Sequence, residues 1–166
     1  MSLKFVYTRV DGGVSVVHAA PKKDLERVLG TLTHDQYVAH VLKRSIPTGA
    51  TNVRELLEED LPVSRKYRNA WVDKSNTSKI DLDMVQVKNL LLVDLRRERD
   101  VKLKESDSLV ARALESGADM TTLKEKRQAL RDATNALKAV TVSEADLNSN
   151  EKLVELESAA VLQVSL

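Results

Sequence analysis

The sequence contains no cysteine. That removes disulfide staples, thiolate metal sites and a cysteine nucleophile together, and it fits synthesis in a reducing compartment. Aromatic side chains make up only 3% of the residues. They are Phe5, Tyr7, Tyr37, Tyr67 and Trp71, so everything beyond position 71 has to pack with Leu, Val and Ala, which suits thin helical layers better than a thick core. No apolar run approaches the roughly 20 residues that a helix needs to cross a bilayer, and the first residues lack the apolar stretch of a signal peptide. A protein that stays in the cytosol where it is made, without membrane contact, is expected. Neither sign of charge is in excess, with 26 Lys and Arg against 25 Asp and Glu, so no general attraction to nucleic acid or anionic lipid follows. Also missing are a GxxxxGK[ST] loop, a GxGxxG turn and a GxSxG elbow. The expectation is a binding or assembly protein without a cofactor, not an enzyme.

What is present divides into two styles of patterning. Residues 3–10 (LKFVYTRV) and 14–20 (VSVVHAA) are rich in β-branched types and flank Asp11-Gly12-Gly13, whose glycines tolerate φ > 0, which predicts a hairpin. Lys22–Leu29 reads as a short helix or turn ending at Gly30. Thr33 followed by Gln36 is a capping box that opens a helix through Tyr37, Val38, Val41 and Leu42 to about Arg44, stopped by Ile46-Pro47. Residues 51–57 alternate enough for a strand, Glu58-Glu59-Asp60 is an acidic run, Leu61-Pro62 a linker, Tyr67–Asp73 a short strand or turn, and 74–78 a loop.

From Asp81 or Asp83, either a plausible N-cap, Met84, Val87, Leu91 and Leu95 recur at helical spacing, with no Pro or Gly before Gly117. A helix of about 30 residues, roughly 45 Å long, is implied. Its middle, 96–108, is charged nearly all round. After Gly117 a second helix, capped by Asp119 or Thr121, carries Leu123, Leu130, Ala133 and Leu137 on one face, and the short connection favours antiparallel packing. Residues 143–166 hold a short segment and an amphipathic end whose last six residues are apolar enough to want a cover. The expected fold is α+β: a small β-hairpin module with a short helix in 1–80, a long antiparallel helical hairpin arm in 81–140, and a C-terminal amphipathic segment in 141–166.

Candidate chemistry is sparse. His34 and His40 lie six apart, whereas a helical metal pair needs a spacing of three or four to share a face, so no metal site is expected. Asp81 and Asp83 are better explained as capping residues than as an acid–base pair. Arg96, Arg97 and Arg99 are interleaved with Glu98 and Asp100, which fits a solvated face or a partner contact. Trp71 and Tyr67 fit a core better than an exposed recognition pair.

Taken in order, DGGVSVV (11–17), IPTGAT (46–51), LPVSRKYRNAWVD (61–73) and KRQALRD (126–132) resemble a family of small proteins of tailed bacteriophages, and the second half is similar to tail-fibre assembly proteins. The likeness covers about residues 3–137. It departs at Arg65-Lys66, where Asp-Arg is more usual, and in 143–166, which lack the aromatic-Pro tail of the assembly proteins. The resemblance implies a tail-associated structural protein or a fibre-assembly factor, working in the host cytoplasm or at the virion tail by protein–protein contact. Its partner would be a tail or tail-fibre protein, or a second copy in a homo-oligomer, with no nucleic acid. Residues expected at such a contact are Leu91, Leu95, Arg96, Arg99 and Trp71. The alternative is a small nucleic-acid-binding or regulatory phage protein using Arg96, Arg97, Arg99, Lys102 and Lys104.

Overall fold

Lys4–Thr8 (β1) and Val14–His18 (β2) form the expected antiparallel pair, with Phe5 opposite Val17 and Tyr7 opposite Ser15. The turn between them closes through Arg9 N–H to Gly13 O at 2.8 Å and Gly12 N–H to Arg9 O at 2.9 Å. Only Gly12 takes a left-handed φ, of 80°, so of the two glycines it alone is needed for its backbone freedom. These elements belong to a computed structural model that describes residues 3–62, 65–74, 78–146 and 149–162. The fold is α+β, and the chain divides into two units, Met1–Leu82 and Asp83–Leu166.

In the first unit Thr51–Glu55 (β3) joins the free side of β1, giving the order β2-β1-β3. Val6 faces Arg54 but Thr8 faces Thr51, so β3 carries one extra residue there. Asn52 absorbs it at φ 52°, a conformation that Asn tolerates better than most residues. Phe5 and Val17 face α1 (Lys22–Leu29) and α2 (His34–Ser45), and a core forms from Phe5, Ala19, Tyr37 and Val41 with Leu25, Leu32 and Val38 around it. The capping box is complete: Thr33 Oγ1 accepts from Gln36 N–H and Gln36 Oε1 accepts from Thr33 N–H. Tyr37 donates its hydroxyl to Ala20 O, which satisfies the polar end of a ring otherwise in the core.

The opposite sheet face, bearing Val6, Val16 and Arg54, is met by the segment after β3. Arg54 grips Asp73 through two parallel bonds of 2.6 and 3.0 Å, and the Asp73 side chain is completely buried. Lys4 pairs with Glu58 on the same face. The acidic run Glu58–Asp60 and the Arg68–Ala70 stretch each form one turn of 3-10 helix. Trp71–Val72 (β4) then pairs with Asp81–Leu82 (β5), and Ile80 N–H donates to Asp60 O. Part of the loop expected at 74–78 lies outside the described residues.

The second unit opens with α3 (Met84–Ser116), 33 residues or about 50 Å long. Asp83, rather than Asp81, is its cap: one carboxylate oxygen accepts from Val85 and Gln86 N–H. Gly117 ends it at φ 64°, the left-handed position that favours glycine. The expected second helix is two, α4 (Thr121–Asp132) and α5 (Thr134–Ala139). Ala133 between them stays right-handed, so Leu130, Ala133, Thr134 and Leu137 still share one buried stripe. Lys88 reaches the carbonyls of Lys138 and Val140 while Arg127 reaches Leu103–Asp107, which fixes the pairing as antiparallel. The amphipathic end is α6 (Asn150–Leu162), which packs on both α3 and α5 with Leu156 fully buried. The apolar run at 161–166 expected to want a cover lies largely outside the described residues.

Candidate functional site

Leu91 and Leu95, expected at a partner contact, are instead buried in the second unit together with Met84, Val87 and Leu92. The reason is the extra helix: α5 and α6 both pack against α3, where a two-helix hairpin would have left that stripe half covered. Replacing these leucines by Asp would therefore disturb the fold before it tested any association. Trp71 is also buried, as the scarcity of aromatics suggested. Arg99 is occupied by its neighbour, donating twice to Asp100 at 2.9 and 2.7 Å. Of the expected contact residues Arg96 alone is exposed, and with Val93, Arg97, Val101 and Lys104 it lines an open depression of about 520 Å³ on α3.

Beyond Leu95 the hairpin changes character. From Arg96 to Ala129 no apolar side chain is buried among the described residues, and Ser106 alone is. Leu109 is 51% exposed and Leu114 is 66% exposed. Leu103, Val110, Ala113, Met120 and Leu123 are half-buried. Met120 and Leu123 with Val110, Arg127 and Gln128 leave an open groove of about 580 Å³. What holds the two helices in register is polar. Arg127 donates to Leu103 O at 3.3 Å, to the Ser106 hydroxyl and to Asp107 at 2.8 Å, and Ser106 in turn donates to Leu103 O at 2.6 Å. A charged central stretch cannot make a dry seam, so one guanidinium nitrogen of Arg127, shared among Leu103 O, the Ser106 hydroxyl and Asp107, takes the place of an apolar knob.

The perturbed ionisable groups all serve turns or the core. The Asp119 carboxyl is held below its ordinary value first by the Thr121 hydroxyl and then by Thr121 N–H. Asp146 is lowered by Ser143 N–H and hydroxyl, Asp11 by Gly13 N–H, and Glu26 by Leu32 N–H. Burial raises the Tyr37 hydroxyl. His18 and His34 are exposed on separate elements and His40 is half-buried on α2. Among the described residues no group of three or more His, Asp or Glu could hold a metal ion. No described helix is long and apolar enough to cross a membrane.

A third concavity, of about 600 Å³, lies in the first unit along β2 and includes Arg9, His18, Arg65, Arg68 and Trp71. Sequence reasoning passed over it because its arginines come from two segments more than 50 residues apart. The one local signal was Arg65-Lys66 preceding Tyr67. Arg127 was likewise not singled out, since helical periodicity does not show that a guanidinium can reach across to α3. Compared with known families, with curated proteins and with solved structures, the chain matches none of them.

Proposed function

We propose that the chain is a bacteriophage tail-associated structural or tail-fibre assembly protein that acts by protein–protein contact through its helical hairpin. The observation that carries this reading is the far half of the hairpin, where Val101, Leu109 and Leu114 are each at least half exposed beside half-buried Val110, Met120 and Leu123. Exposed apolar side chains along a thinly packed helical element fit an interface whose other half is a second molecule. The order of DGGVSVV, LPVSRKYRNAWVD and KRQALRD supports the phage-tail assignment through the resemblance it carries. The test is mass in solution together with co-purification from infected cells, for the natural chain and for a Leu109→Glu, Leu114→Glu double variant. Both positions are exposed, so the variant should keep its helical circular dichroism while losing the association. A natural chain that is strictly monomeric and brings down no phage structural component would leave the reading without support. Presence in purified particles, as against infected-cell lysate alone, separates a virion component from an assembly factor.

One observation favours the nucleic-acid alternative: Arg96, Arg97 and Lys104 are exposed side by side on α3. Asp100 among them and the net charge of +1 weigh against it. Binding to DNA that falls steeply with added salt, and is lost in Arg96→Ala, Arg97→Ala, would favour it instead.

A further inference from the structure

The free edge of β2 is unusually open. Ala19 N–H donates to Leu3 O and Arg9 N–H to Gly13 O, so Leu3 with Ala19 and Arg9 with Gly13 are pairs that bond to each other across the hairpin. Bonding and non-bonding pairs alternate along an antiparallel ladder. Phe5 with Val17 and Tyr7 with Ser15 are therefore also inward pairs, and Val14, Val16 and His18 turn their N–H and C=O groups away from β1. On β1 the complementary set faces β3, as the bond from Leu56 N–H to Lys4 O requires. Because β2 ends the sheet order, no described strand meets those outward groups. Natural edges are commonly blunted by Pro, by Lys or by a covering segment. The sequence VSVVH has neither residue, and a cleft rather than a cover runs beside it.

That cleft is cationic. Its walls carry Arg9, Arg65 and Arg68 and no acidic residue, with Trp71 below them. Arg9 leans on Asp11 at 3.1 Å and Arg65 on Glu58 at 3.5 Å, both exposed pairs of little strength. Arg68 is exposed and has no side-chain partner among the described residues. We propose that the β2 edge is a docking site for an extended, acidic segment of a partner protein, which adds as a fourth strand and sets its carboxylates against Arg9, Arg65 and Arg68. A strand places every second side chain on the same face, so alternate acidic residues would all turn towards the cleft while the backbone pairs with Val14, Val16 and His18. A second copy of this chain fits less well, because β2 has no acidic residue and pairing two edges would bring the two sets of guanidinium groups together. A nucleic acid would engage the cations but leave the strand's backbone groups unpaired.

The experiment uses the full chain and its single tryptophan, Trp71, as a fluorescent reporter in the cleft. The probe is a short peptide of alternating Glu and Val, compared with the same peptide carrying Gln for Glu and with a short oligothymidylate. Val16→Pro removes an outward N–H without removing a bond of the hairpin, and prolines are tolerated at such edge positions. Arg68→Glu is a second variant at an exposed position with no packing role. The expected result is a saturable emission change with the Glu peptide, weakened about tenfold or more by Arg68→Glu, by Val16→Pro and by the Gln substitution. No response to the Glu peptide, or equal binding of the Gln peptide, overturns the proposal. Tighter binding of the oligothymidylate that survives Val16→Pro makes the cleft a phosphate site and overturns it too. So does a dimer of the natural chain that Val16→Pro dissociates, which would assign the edge to a second copy. Association through Leu109 and Leu114 is read by different variants, so failure at either surface leaves the other standing.

Discussion

The two halves of α3 obey different rules although they are one unbroken helix. From Met84 to Leu95 five side chains are buried, and α5 and α6 share the cover. From Arg96 to Ser116 the helix buries only Ser106, and α4 is held by the Arg127 latch instead of by leucines. Since most helix stability in a protein comes from an apolar face finding a partner, the near half should be strong and the far half weak. Hydrogen bonds to a charged group fix geometry well and add modest net stability. The contrast teaches that length and capping alone do not make a helix uniformly stable. A well-formed but thinly packed end is where association can be gained without rebuilding a core.

The largest effect should come from the near half. Leu137→Ala empties a fully buried position and is expected to lower stability by roughly 2–5 kcal/mol in urea melts, whereas Leu109→Ala at an exposed site should change it by about 0.5 kcal/mol or less. Equal losses at the two sites would erase the proposed difference between the halves. Next comes the latch. Arg127→Met keeps the aliphatic stem but leaves the buried Ser106 hydroxyl oxygen and the Asp107 carboxylate without this donor, and should cost about 1–3 kcal/mol. Amide exchange is the sharper readout: protection should fall across 100–125 while 84–95 stays protected. A uniform loss along α3 would show that the helix opens as one unit.

Much of the division into elements was legible in advance, because it depends on short-range chemistry. The Thr33–Gln36 capping box, the turn at Asp11–Gly13 and the stop at Gly117 all act within a few residues, and each appears as expected. Contacts between distant segments were not legible. Nothing in TNVRE says that Arg54 will meet Asp73, and nothing in the amphipathic end says that Leu156 will close over α3 and α5. Leu91 and Leu95 were misplaced for the same reason, since an apolar stripe reads alike whether its cover comes from the same chain or another. The β2 cleft depends on three arginines brought together by tertiary structure, and no periodicity carries that information.

A smaller effect tests the end of α3. Gly117 sits at φ 64°, where an L side chain is strained even though a Cβ there would meet nothing within 4 Å. Gly117→Ala should therefore cost about 1 kcal/mol from the backbone alone, with the far half fraying and the near half unmoved. A neutral result would show that the turn relaxes without strain being passed into the helix.

The smallest expected effect concerns acid, and it acts at the same far end. Asp119 accepts from Thr121 N–H at 2.9 Å and from its hydroxyl at 2.7 Å, tying the first turn of α4 to the connection that precedes it. These donors hold the carboxyl below its ordinary value of 3.8. A group whose folded pKa is depressed contributes stability that is present above the unfolded value and is lost as pH falls through the folded one. The tie should accordingly persist at neutral pH and weaken only once pH drops below 3.8. Because Asp119 is exposed, the change should appear as local fraying and not as global unfolding. Amide exchange of Thr121–Leu123 followed through that range is the measurement, with Asp119→Asn as the control that keeps an acceptor oxygen and removes the titration. If the acid-induced loss at the start of α4 is the same in Asp119→Asn, another carboxylate is responsible and the assignment to Asp119 fails.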